Sequence, residues 1–223
     1  MTRTVLVPAD RVERWFHNFS ERHGAPAPDE VEGRLRARAE DGSVAEAALP
    51  LGRSYDGPAD DAAFARAVRA PLPWGVLLVR KGGFAVATCE GPDVVASKVG
   101  QRHVQGRTKA GGQSQQRFAR RRDNQARQAY EAAAEHAHRV LVRENPAPVV
   151  ALVCGGDRAA VDQVLADPRL RSLAERRVAP WLAVPDPRRS VLDQAVRDAL
   201  SAAVEVTDPG PDAGLGPTSV TGE

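Results

Sequence analysis

Lys109-Ala110-Gly111-Gly112-Gln113-Ser114-Gln115-Gln116-Arg117-Phe118-Ala119-Arg120-Arg121-Arg122 is the stretch from which the rest of the chain is read. Two adjacent glycines permit backbone conformations and close approaches that a Cβ forbids. After them a helical pattern opens at Ser114 and runs through Phe118, Ala126, Tyr130, Ala134, Ala137 and Leu141 until Pro146 ends it. Its roughly 30 residues, at about 1.5 Å each, predict a rod of about 45 Å. From Lys98 to Arg127 there are nine Lys or Arg against one acid, Asp123, although the 223-residue chain carries a net charge of only +2. That asymmetry predicts a polyanionic partner for this stretch. Arginine is the main basic residue throughout, with Lys only at 81, 98 and 109, so the clustering carries the signal rather than the residue type.

Toward the N-terminus, Trp74–Arg80, Phe84–Cys89 and Val94–Val99 read as three strands of a meander, the first two joined at Lys81-Gly82-Gly83. Toward the C-terminus, Pro148–Cys154 is a buried strand and Gly155-Gly156-Asp157 a turn into a helix. Val178–Val184 is a further strand and Arg188–Val204 a last helix. Strand, helix, strand, helix after a meander predicts a three-layer α/β domain with a mixed sheet flanked by helices.

The first 72 residues read differently. Asp10 is placed to cap a helix with Val12, Trp15, Phe16 and Phe19 on one face, ending at Gly24. From Val31 apolar and charged residues alternate, and Asp41-Gly42 follows as a hairpin turn, so two antiparallel strands with one wet face are expected. Asp60–Ala70 forms a short helix, stopped by Pro71 and Pro73. The expected organisation is a small N-terminal α+β subdomain over 1–72, an α/β domain over 73–207 and a disordered tail over 208–223.

Several chemistries find no support in these residues. Cys89 and Cys154 sit inside apolar runs and read as small buried hydrophobes of a reducing compartment, not as metal ligands. The start of the chain is too quickly interrupted by charge for a signal peptide, and no apolar run reaches membrane length, so a soluble cytoplasmic protein is expected. His17, His23, His103, His136 and His138 show no metal spacing, and there is neither a Gly-x-Ser-x-Gly elbow nor a phosphate-binding Gly-x-x-x-x-Gly-Lys loop. Gly155-Gly156-Asp157-Arg158 lies between strand and helix and reads as a glycine turn, with an anion-holding loop as the alternative. No cofactor and no metal are expected.

The Gly-Gly-Gln-Ser tetrapeptide, followed at a fixed offset by Arg117-Phe118-Ala119-Arg120-x-Arg122, resembles the catalytic loop and helix of the middle domain of eukaryotic and archaeal class-1 release factors. The resemblance extends over roughly Trp74–Thr207: strands before the loop, a long helix after it, then a strand ending in small residues at Val153-Cys154-Gly155-Gly156. Residues 1–72 do not resemble the stop-codon-reading domain, and no Asn-Ile-Lys-Ser motif is present. Within that group the chain is most similar to the compact actinobacterial release-factor-like peptidyl-tRNA hydrolases of ribosome-associated quality control. The resemblance implies a catalytic middle domain, codon-independent cleavage of peptidyl-tRNA on a stalled or split ribosome, and action as a monomer at the peptidyl-transferase centre of the large subunit. It implies no membrane partner.

In the implied roles Gly111, Gly112 and Gln113 form the catalytic tip. Arg102, Arg107, Lys109, Arg117, Arg120, Arg121, Arg122 and Arg127 contact RNA phosphates. Gln113 has no proton that titrates near neutrality, so it acts by donating, accepting or filling space rather than as a general base. Two other readings stay open at this point: an endonuclease trimming the tRNA 3′ CCA end, and a ribosome-binding rescue factor without catalysis.

Overall fold

A computed structural model describes residues 1–81, 83–101, 127–145 and 147–209. The chain divides into two units: Met1–Arg69 together with the chain from Ser201, and Ala70–Leu200.

The first unit is a five-stranded sheet in the order β1-β10-β4-β3-β2. Its strands are β1 (Thr2–Val7), β2 (Ala27–Val31), β3 (Arg34–Arg38), β4 (Val44–Ala48) and β10 (Ala202–Thr207), and every neighbouring pair is antiparallel. Period-two alternation sends Leu35, Ala37, Ala45, Ala47, Val204 and Val206 to one face. There they meet Val12, Phe16 and Phe19 of α1 (Val12–His23) and Phe64, Ala65 and Val68 of α2 (Asp61–Val68). The opposite face carries ion pairs such as Arg34–Glu205 at 3.3 Å and Arg36–Asp29 at 2.9 Å, so it is wet as expected.

Several expectations change here. The alternating run does not begin as one strand at Val31, because Glu32 and Gly33 both take positive φ (51° and 73°) and form a two-residue hairpin turn between β2 and β3. Asp10 does not cap α1: it lies in the 3-10 turn Ala9–Arg11, and Arg11, the N-cap, makes no side-chain cap bond. Asp60, by contrast, does cap α2, its Oδ1 accepting from the Ala63 amide at 2.7 Å. The last helix stops at Ala199, and the residues read as its end form β10, paired on one side with β1 and on the other with β4. Residues 202–207 therefore belong to the first sheet, and the second unit is inserted within the first.

The second unit is a mixed sheet in the order β7-β6-β5-β8-β9. The strands β5 (Pro73–Arg80), β6 (Gly83–Glu90) and β7 (Asp93–Gln101) form the antiparallel meander, while β8 (Ala151–Gly156) runs parallel to β5 and to β9 (Arg177–Leu182). Six consecutive residues of β5, Trp74–Val79, are buried, as a strand covered on both faces requires. Leu77, Val79, Phe84, Val86, Leu152 and Cys154 face a layer built from α3 (127–138), the π turn Arg139–Arg143, α4 (Arg158–Leu165) and α5 (Arg171–Ala174). Leu192, Ala195, Val196 and Ala199 of α6 (Arg189–Ala199) are buried on the other side, against β5, β6 and β9. This is the three-layer α/β arrangement that the pattern predicts.

α3 ends in a clamp. In the π turn Glu144 donates its amide to the Arg139 carbonyl at 2.9 Å. The hydroxyl of Thr88, a buried residue of β6, donates to the Val140 carbonyl at 2.7 Å. Among the described residues no helix is long and apolar enough to cross a membrane.

Candidate functional site

Strand direction brings four strand ends together. β5, β8 and β9 are parallel and β7 is antiparallel to β6, so Arg80, Gln101, Gly156 and Leu182 all mark carboxyl ends at one end of the sheet. In open α/β sheets the crevice outside the carboxyl ends of the strands is where ligands bind. The chain leaves the described residues here, at Gln101 opposite Gly83, and re-enters at Arg127. Arg127 lines a hollow of about 800 Å³ together with Lys81, Tyr130, Glu131, Asp157 and Gln163. Both roots of the basic segment are thus held at one end of the second unit. Gly111, Gly112, Gln113, Arg102, Arg107, Lys109, Arg117, Arg120, Arg121 and Arg122 lie outside the described residues, as do His103, the turn residue Gly82, Pro146 and the tail from residue 210. Of the residues read as catalytic or RNA-contacting, Arg127 alone is described, and it is exposed.

The glycine turn after β8 takes the less ambitious of its two readings. Gly156 has φ +91°, and a Cβ there would collide with the Val79 carbonyl oxygen. The turn delivers Asp157 to cap α4, and its Oδ1 accepts from the amides of Ala159 at 3.0 Å and Ala160 at 3.3 Å. A carboxylate already occupies the place an anion would take, so the anion-holding alternative falls. Beside it, the Arg158 guanidinium lies 4.3 Å from the Trp181 ring centroid, and the Trp181 indole donates to the Gly156 carbonyl at 3.3 Å. Burial and the neighbouring Asp157 raise the Tyr130 phenol above its ordinary pKa, so its hydroxyl stays protonated near neutrality.

An ion-pair network ties the α3 side of the hollow to the turn after α4. Arg169 holds Asp167 through two contacts of 2.8 and 3.0 Å and reaches Glu135 of α3 at 2.6 Å. Hydrogen bonds from the Arg169 side chain and backbone lower Asp167 to about 2. Neither Lys81 nor this network stands out in the sequence, because isolated cations and acids on helices usually mark only a solvated surface.

Two of the described histidines occupy structural positions. His136 stacks on Phe84 with centroids 5.3 Å apart, and its Nδ1 lies 2.6 Å from an Arg139 nitrogen. Burial, then Arg139 and Lys98, depress its pKa, which keeps it neutral. His23 pairs with Asp41 at 2.8 Å. Cys89 and Cys154 are free and buried, and desolvation pushes both thiols up to about 12, far from thiolate chemistry. Among the described residues no three His, Cys, Asp or Glu side chains gather as a metal site would need.

No protein of curated function matches the chain. Among the solved structures that are similar, two share low identity with the chain. One, described as "Vms1 mitochondrial localization core", shares 12% identity at a TM-score of 0.41, covering 87% of this chain and 80% of that one. The other, described as an archaeal protein, shares 10% identity at a TM-score of 0.28, covering 89% and 66%. A family model matches with more force: that of the Actinobacteria/chloroflexi VLRF1 release factor, over residues 72–205, more than half of the chain. The matched span runs through the whole meander, the basic Gly-Gly-Gln segment and the parallel strands, and the chain therefore belongs to the Actinobacteria/chloroflexi VLRF1 release-factor family.

Proposed function

We propose that this protein is a codon-independent peptidyl-tRNA hydrolase of the cytoplasm. It frees nascent chains from tRNA at the peptidyl-transferase centre of stalled or split ribosomes, using Gly111-Gly112-Gln113 as its catalytic tip. The observation that carries the reading is the whole Gly-Gly-Gln-Ser tetrapeptide, with its basic flank, inside a chain that belongs to a release-factor family. Membership makes the function release-factor-like and ribosome-associated; ester hydrolysis at this tripeptide is the finer step.

The reaction joins a water oxygen to the ester carbonyl carbon, moves the carbonyl electrons onto oxygen, and on collapse expels the ribose oxygen of the terminal adenosine, which takes up a proton. Negative charge develops on the carbonyl oxygen and calls for a fixed donor. The Gln113 backbone N–H supplies that donor, and its side-chain amide places or excludes water. Gly111 and Gly112 let the backbone approach crowded RNA where a Cβ would collide. Arg102, Arg107, Lys109, Arg117, Arg120, Arg121, Arg122 and Arg127 hold phosphates.

The frame supports this use of the segment. The described residues on either side of it are β7, whose partly buried Ala96 packs against the core of the second unit, and α3, whose Ala133, Ala134 and Ala137 lie in that core. A site anchored on packed elements keeps its geometry better than one carried by free chain. The test is turnover on purified stalled large subunits carrying peptidyl-tRNA: released peptide with tRNA whole at its 3′ end supports hydrolysis. tRNA shortened at the CCA end, or binding without turnover, points instead to the endonuclease or to the non-catalytic factor.

A further inference from the structure

The first unit contains a cleft that the release-factor reading leaves unused. It has a volume of about 310 Å³ and opens where the C-terminal half of α1 runs beside the sheet at edge strand β1. Val5 and Val206 floor it, and Trp15 and Phe19, stacked with centroids 5.6 Å apart and planes 12° off parallel, form one wall. Phe19 is buried in the core, whereas Trp15 is only half-buried and turns part of its ring to the cleft.

The polar lining has one sign. Arg3, Arg22 and His23 border the cleft with Asn18, and among the described residues no carboxylate lines it. The two acids that touch these residues are already engaged: Asp208 with Arg3 at 2.7 Å, and Asp41 with His23 at 2.8 Å. Arg22 is exposed and has no carboxylate partner among the described residues. Such a hollow, apolar and aromatic within, cationic at the rim, with one amide able both to donate and to accept, matches a base joined to a phosphate.

We propose that this cleft binds an unpaired nucleotide of a single RNA strand, the base against Trp15 with its edge read by Asn18, and the phosphate held by Arg22, which no carboxylate pairs among the described residues. A strand fits better than a free mononucleotide because the helical period continues the row. Trp15, Asn18 and Arg22 recur at the spacing of one α1 face, a span of about 10 Å. The proposal is independent of the hydrolase reading, since every residue named lies in the first unit, and its test needs no turnover.

The full chain is photo-crosslinked to a single-stranded RNA hexamer carrying 4-thiouridine, and tryptic peptides are mapped. The same hexamer is titrated by fluorescence anisotropy against Trp15→Leu, which keeps apolar bulk, and against Arg22→Glu, an exposed site that does not threaten folding. The expected result is a crosslink in peptide 15–22. Each variant should weaken binding of the hexamer by roughly fivefold or more, with far-UV circular dichroism unchanged. Crosslinks confined to other peptides, unchanged affinity in Arg22→Glu, or tighter binding of uridine monophosphate than of the hexamer would overturn the proposal.

Discussion

Replacing Thr88 by Val removes one hydroxyl and leaves the shape of the side chain almost unchanged. Thr88 is 2% exposed, and its Oγ1 donates at 2.7 Å to the Val140 carbonyl in the π turn that ends α3. Losing that donor leaves a buried carbonyl short of a partner, at a cost of roughly 1–3 kcal/mol. The added methyl recovers about 0.8 kcal/mol of apolar burial, so a net loss of roughly 0.2–2 kcal/mol remains. At a urea dependence of about 2 kcal/mol per molar, the unfolding midpoint falls by roughly 0.1–1 M. Thr88→Ser, which keeps the donor, loses less. The functional consequence follows from position: the clamped turn secures the C-terminal end of α3, the helix that follows the basic segment in the chain. Hydrogen exchange at the amides of residues 141–144 should therefore quicken in Thr88→Val. A variant as stable as the parent, with unchanged exchange, would refute the clamp.

The remaining predictions concern α4, the ion-pair network and the basic segment. Asp157→Ala removes a cap that accepts from two amides and should lower stability by about 1 kcal/mol, while Asp157→Ser should retain most of it; equal stability of the Ala variant and the parent in urea unfolding would dismiss the cap. Asp167 has its folded pKa lowered from 3.8 to about 2, so its contribution is fully present above the unfolded value and is lost as pH falls through the folded one. The midpoint difference between the parent and Arg169→Ala should thus be largest near pH 6 and narrow below pH 4, and a difference that grows on acidification would contradict the pairing. Neutralising Arg120, Arg121 and Arg122 together should weaken ribosome association and flatten its salt dependence, by nearly one unit of slope per lost phosphate contact; an unchanged salt series would return them to a solvated basic face.

Legibility in the sequence followed the strength of the periodic signal. The continuous apolar run of β5 and the alternating burial of Leu35 and Ala37 in β3 announce their elements, because burial on two faces or on one dictates the pattern directly. β2 is hidden because it is an edge strand whose residues Ala27-Pro28-Asp29-Glu30 are exposed, so no apolar face marks it. The first half of β10, through Val204, reads as the end of a helix because Ala202 and Ala203 continue the alanine-rich composition of α6. Only pairing with β1 and β4, distant in sequence, selects the extended form, and that pairing also moves residues 202–207 out of the second unit. At the site, Gly-Gly-Gln was legible as a motif rather than as a pattern. The turn Gly155-Gly156-Asp157 admitted two readings until the Asp157 side chain was seen to occupy the α4 amides.

Hydrolysis by Gln113→Ala and Gly112→Ala on stalled large subunits tests the central proposal most directly. Both substitutions leave the arginines in place, so both variants should bind ribosomes nearly as the parent does. Both should lose about two to three orders of magnitude in the rate of peptide release, with Gly112→Ala at least as damaging because it misplaces the donor itself. The parent reaction should yield tRNA with an intact 3′ terminus. Full release by either variant, or tRNA shortened at its end, would contradict the assignment of this tripeptide to ester hydrolysis.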